Sequence, residues 1–203
     1  MKEKMHQSED DKFIPMTSVS NGKGKEVSKD VYYYTNQIVN VIMIGDPAGD
    51  SWVLIDAGMP KSGEEILKVA EKRFGKGNKP AAIILTHGDF ENVGGLVHLI
   101  NDWGVPVFAH PLEFLYLVGE KRYPEPDSSV EGGMLAKIYS IYPIETINIS
   151  EVLQELPKDM SVPRLTEWQW VHVPGHSPGQ IALYRAKDGI LIAGDALVSV
   201  EQD

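Results

Sequence analysis

The stretch A-A-I-I-L-T-H-G-D-F-E-N-V-G-G-L-V-H-L-I, residues 81–100, changes character twice. Ala81–Leu85 is a short unbroken apolar run, which fits a strand buried on both faces. Val93, Leu96, Val97 and Ile100 then recur at helical spacing and stop at Gly104, a residue suited to ending a helix. Between them a polar loop carries His87, Asp89 and Glu91 at alternate positions. Extended backbone aims alternate side chains to one side, and imidazole plus carboxylate is a donor set for a borderline or hard divalent cation. Asp89 and Asn92 could instead cap the helix near Val93, and for Asn92 capping is the favoured reading. Histidine has no capping preference, so His87 points to chemistry.

Upstream, V-Y-Y-Y-T-N-Q-I-V-N-V-I-M-I (31–44) is β-branched and aromatic, as strands are, and ends in the turn-forming Gly45, Asp46, Pro47 and Gly49. Ser51–Ile55 resumes as a second strand, so the pair predicts a hairpin opening a sheet. Lys61–Phe74 takes the helical period through Ile66, Val69, Ala70 and Phe74, with Ser62 and Glu65 spaced as a capping box. Downstream, Val105–Ala109 reads as another buried strand and Leu112–Leu117 as a helix. The order ββαβαβα predicts helices packed on a mostly buried sheet. Residues 120–166 are broken by Pro124, Pro126, Gly132, Gly133, Pro143, Pro157 and Pro163, and are expected to form a lid-like insertion with one or two short helices. Tyr116, Tyr123 and Tyr139 nearby suggest that it walls a substrate site. Strands return at Trp168–Val173, Gln180–Tyr184 and Ile190–Ala193, the last two joined through Asp188 and Gly189. Residues 1–30 are polar and predict a flexible N-terminal arm, leaving 31–203 as one domain.

Four strand ends carry polar residues of one kind. Ile55 leads to Asp56 and Gly58, Leu85 to the His87 loop, V-H-V to P-G-H-S-P-G with His176, and Ala193 to Gly194 and Asp195. Ligands gather where the strands of helix-covered sheets end. A carboxylate directly after an apolar run is costly unless paired or metal-bound, which adds weight to Asp195. His172 alternates with Val171 and Val173 and reads as a strand residue on the opposite face. His98 falls off its helix's apolar stripe, and His110 is read as either a buried hydrogen-bonded residue or a partner of the site.

The 203 residues hold 29 acidic and 19 basic side chains, a formal charge of −10, with no basic cluster, which argues against a nucleic-acid partner. The absence of cysteine excludes disulfides, thiolate metal sites and a cysteine nucleophile. No stretch approaches the roughly 18 apolar residues of a membrane span and no signal-peptide core precedes the domain, so a cytoplasmic location without membrane partners is expected.

Taken together, Asp56 with Gly58, T-H-G-D-F-E-N, P-G-H-S-P-G and the Gly194–Asp195 pair, in this order, resemble the metallo-β-lactamase superfamily over residues 31–203. The resemblance implies an α/β (α+β) αββα sandwich with a metal site at one edge of two stacked sheets. It also implies a hydrolase of esters, lactones, thioesters or lactams that uses metal-activated water on a small-molecule substrate. The family's HxHxDH pattern keeps His87, but Asp89, Glu91 and Asn92 stand where histidine, aspartate and histidine belong. Matching the remaining ligands to His176 and Asp195 gives a metal set of His87, Asp89, Glu91, His176 and Asp195, with Glu91 and Asp195 in catalytic roles and Asp56 orienting the ligands. A further family histidine, with the last strand and helix, would lie beyond Asp203, so the C-terminal part of the fold is expected to be incomplete. The substitutions imply one divalent ion rather than two, zinc foremost, with manganese or iron as alternatives. The alternative is a catalytically inactive relative, either a binding module or a remnant. The sequence leaves the oligomeric state open.

Overall fold

The computed structural model describes residues 5–7, 18–123 and 147–197. A two-residue strand β1 (His6–Gln7) pairs antiparallel with β8 (Ile147–Asn148). The main sheet has seven strands, β2 (Gly24–Ser28), β3 (Val31–Asn36), β4 (Val39–Ile44), β5 (Val53–Ile55), β6 (Ala82–Ile84), β7 (Val107–Ala109) and β9 (Leu153–Glu155), in that spatial order. Pairing is antiparallel from β2 to β5 and parallel from β5 onward. A second, antiparallel sheet holds β10 (Ser161–Val162), β11 (Leu165–His172), β12 (Ile181–Arg185) and β13 (Ile190–Ile192).

The period of two along each strand decides the layers. Leu54, Ile83, Val107, Val41 and Met43 face helices α1 (Gly63–Phe74) and α3 (Leu96–Trp103), where Ile66, Ala70, Leu96, Leu99 and Ile100 meet them. Val53, Ile55, Ala82, Ile84 and Ile44 face the opposite way and pack on Trp168, Ile181, Leu183 and Ile192 of the second sheet. Among the described residues one helix layer therefore lies on two stacked sheets, and both faces of the central strands are buried. On the outer face of the second sheet, Val171, Tyr184 and Leu191 stay exposed.

Several boundaries differ from the sequence reading for local reasons. The run 31–44 is two strands, because Gln37 takes a left-handed conformation (φ 55°) and reverses the chain within an otherwise β-rich stretch. The sheet starts before residue 31, since β2 lies inside the segment read as an arm; residues 1–4 and 8–17 of that arm lie outside the described residues. The region read as an insertion contributes β8 to β10 and the start of β11, and β9 extends the main sheet beside β7. Residues 124–146, Tyr139 included, lie outside the described residues. No capping box forms at α1: Ser62 Oγ donates to Ala57 O, and Glu65 instead accepts from Tyr34 Oη and Asn36 Nδ2. The second helix is divided into α2 (Phe90–Val93) and α3 around Gly94, whose missing Cβ lets the Met59–Pro60 backbone approach; a Cβ there would lie 2.1 Å from it.

Arg185, almost fully buried, fastens the β2–β3 turn to the second sheet. Its guanidinium donates to both carboxylate oxygens of Asp30 and to both of Asp188, and lies 4.7 Å above the Trp168 ring. This ion pair holds the Asp30 carboxyl at about 2. A depressed carboxyl stabilises the fold above its unfolded value near 4, and that contribution is lost as pH falls towards 2. Arg185→Met is expected to cost about 2 kcal/mol at pH 7 in urea unfolding and to flatten the acid limb below pH 4.

Candidate metal centre

The site forms where β6, β11 and β13 end. Thr86 lies two residues past the β6 end and binds in three directions. Its backbone N–H donates to Asp56 Oδ1 at 2.8 Å, its hydroxyl to Asp56 Oδ2 at 2.8 Å, and its carbonyl accepts from Ile181 N–H of β12 at 2.9 Å. When Asp56 is ionised it takes that hydroxyl proton, so that Thr86 Oγ1 accepts from His87 Nδ1, 3.1 Å away, and the His87 Nε2 lone pair faces the cluster. Asp56 itself sits at φ 60°, a conformation that aspartate tolerates better than most residues, and it is fully buried. Burial pushes its carboxyl up to about 8, against the two Thr86 hydrogen bonds.

His87 is fully buried, and its Nε2 lies 3.4 Å from Asp195 Oδ2. The His176 ring stands perpendicular to it, with centroids 4.9 Å apart. His176 Nε2 is 3.6 Å from Asp89 Oδ2. Donor atoms of His87, His176 and Asp195 all fall within 4.8 Å of one another, and so do those of Asp89, Glu91 and His176. All five residues singled out from the sequence are thus neighbours, with His176 common to both triads. Burial lowers the proton affinity of His87, so its imidazole is neutral and available, whereas the Asp89 contact raises that of His176. A metal must displace a proton from a protonated histidine, so of the two imidazoles His176 is the one at which binding of a cation would depend more on pH.

The donor set fits a divalent cation: two imidazoles and a carboxylate converge, one imidazole has its tautomer fixed from behind, and carboxylates at 89 and 91 complete the rim. Asp89 also caps α2, its Oδ1 accepting from Phe90 N–H at 2.7 Å, so capping and site membership coexist in its two oxygens. Asn92 is not a cap. It lies within α2 and its buried amide donates to Asp195 Oδ2 at 3.1 Å, with His87 Nε2 3.4 Å away. His110 is partly exposed, stacks on His172 at 4.4 Å and accepts from Leu112 N–H, away from the cluster. Tyr116 is buried and stacked on Tyr123, whose hydroxyl turns inward to Glu113. Thr86 went unnoticed in the sequence; its signal is a hydroxyl placed between a buried strand and a histidine. A groove of about 570 Å³ with Val171, Tyr184 and Leu191 on its walls ends at His176 and Asp195.

Residues 34–203 match the metallo-beta-lactamase superfamily. The chain is 44% identical over 194 residues to "Probable metallo-hydrolase YflN" of Bacillus subtilis (strain 168), covering 95% of this chain and 74% of the relative. It superimposes on the Rm3 metallo-beta-lactamase with a TM-score of 0.61 at 20% identity, covering 80% of this chain and 55% of that one. A B3 metallo-beta-lactamase described as the first with an active site glutamic acid gives 0.60 at 19% identity, over 87% and 61%. The chain thus spans about three quarters of the bacillary relative and little more than half of these solved lactamases. By its sequence match and its stacked sheets, this chain belongs to the metallo-beta-lactamase superfamily.

Proposed function

We propose that the protein is a metal-dependent hydrolase that opens an ester, lactone, thioester or lactam bond in a small molecule. The observation that carries this reading is the convergence of His87, His176 and Asp195 donor atoms within 4.8 Å, with Asp89 and Glu91 adjoining. One zinc ion would be held by His87, His176 and Asp195, with Asp89 closing the shell. Bound there, a divalent cation acidifies water and polarises a carbonyl oxygen. Asp56 and Thr86 hold His87 with its Nδ1 protonated, and Asp195, anchored by the Asn92 amide, keeps an oxygen directed at the site. Glu91, buried beside Asp89 and His176, receives the proton of the attacking water and returns it to the leaving group. The apolar groove ending at His176 suits the organic portion of such a substrate.

The test is a panel of chromogenic ester, lactone, thioester and lactam substrates, offered to protein stripped by chelator and then reloaded with Zn2+. Hydrolysis of at least one class should vanish on stripping, return on reloading and be lost in Glu91→Gln. Metal-independent turnover, or no turnover of any class by the reloaded protein, favours the inactive relative.

A further inference from the structure

Glu113 is a fully buried carboxylate with no cationic partner among its described contacts. It lies in the turn Pro111–Glu113 after β7, just before α4 (Phe114–Leu117). Four donors surround it. Oε2 accepts from Gly88 N–H at 3.0 Å and from the Tyr123 hydroxyl, and Oε1 accepts from Ser177 Oγ at 2.9 Å and from Gly179 N–H at 2.6 Å. A carboxylate has about four acceptor sites, so each lone pair is used. Gly88 adjoins His87, and Ser177 adjoins His176. One oxygen therefore fixes the loop of one imidazole and the other oxygen fixes the loop of the second. The loops leave room for this group: a Cβ on Gly179 would lie 2.7 Å from Glu113 Cγ.

We propose that Glu113 is a positioning residue that sets the separation and angle of the two imidazoles by clamping the 86–89 and 174–179 loops to one carboxylate. The role rests on the metal-binding reading above, and it concerns a residue that touches neither metal nor substrate. Two buried N–H donors and two hydroxyls converge on a group that only an ionised or acceptor-rich side chain satisfies. An amide at this position presents hydrogens where one pair of donors needs an acceptor, so one loop is released. The Tyr123 hydroxyl also receives the Gly88 N–H at 3.0 Å, so it backs the same clamp from the start of the segment that follows.

The experiment compares the full chain with Glu113→Gln and with Ile100→Val, a truncation in the helix-facing core. Zn2+ affinity is read by competition with a chromophoric chelator, and amide exchange at Gly88 and Gly179 is read in the metal-free proteins. Glu113→Gln should weaken Zn2+ binding by about 10- to 100-fold, as loss of an outer partner of a metal ligand does, and should speed exchange at one or both glycines. Ile100→Val should leave the Zn2+ affinity unchanged. A folded Glu113→Gln protein with Zn2+ affinity within twofold of the parent overturns the proposal. If Glu113→Gln does not fold, Ser177→Ala removes one of the four donors and should still weaken Zn2+ several-fold; unchanged affinity overturns the proposal equally. If the parent itself binds no Zn2+, the metal reading fails, and exchange at Gly88 and Gly179 alone decides the clamp, unchanged protection counting against it.

Discussion

Replacing His176 by alanine is expected to weaken Zn2+ binding about 100-fold or more while leaving the metal-free fold intact. Apparent zinc binding energies of roughly 10–16 kcal/mol shared among four ligands assign about 3 kcal/mol to each, which is about two orders of magnitude in affinity. The side chain is 34% exposed and sits within a glycine- and proline-rich loop, so its removal opens no core cavity. Thermal unfolding in chelator should therefore be nearly unchanged, whereas the stabilisation that added Zn2+ gives the parent should disappear at matched concentration. His87→Ala, at a fully buried site, should lose both binding and stability. Equal Zn2+ stabilisation of the parent and the His176→Ala protein would show that the ion, if bound, sits elsewhere.

Asp56→Asn should produce opposite effects on metal binding and on metal-free stability. The Asp56 carboxyl is pushed up to about 8 by burial, so the unfolded chain ionises near pH 4 while the folded chain resists ionisation until about pH 8. In that window the unfolded state binds fewer protons, and metal-free stability contributed by this group falls as pH rises. An asparagine removes the penalty. The difference in melting temperature between Asp56→Asn and the parent, both in chelator, should therefore grow in favour of the variant from pH 5 to pH 8. Above about pH 8, where the parent carboxyl is ionised, metal affinity should move the other way, by about 10- to 100-fold. An amide donating to Thr86 Oγ1 turns the hydroxyl proton towards His87 Nδ1 and places the imidazole proton on Nε2, the nitrogen the metal needs. Parallel pH profiles for the two proteins would contradict the burial of an uncompensated carboxyl.

The layers were legible because their signals are local. The unbroken apolar runs Val53–Ile55 and Ala82–Ile84, and the helical recurrence of Ile66, Ala70 and Phe74, depend only on neighbours. His87, His176 and Asp195 stood out because each follows an apolar strand, and strand ends of stacked sheets share an edge. What escaped depends on contacts between distant residues. Glu113 reads as an ordinary acid at a helix start, and its donors lie 10 to 66 residues away. The turn at Gln37 is hidden by β-branched residues on both sides, and β9 by prolines that punctuate short strands as readily as loops. Asn92 looked like a cap because amides favour helix starts, but Asp89 had already taken that role one turn earlier.

The direct test is a crystal structure of the Zn2+-loaded full chain, with anomalous scattering recorded on both sides of the zinc absorption edge. A single zinc peak about 2.0–2.2 Å from nitrogens of His87 and His176 and from an oxygen of Asp195 is the predicted result. A map with no zinc between these three side chains, from protein shown to carry the metal, would contradict it.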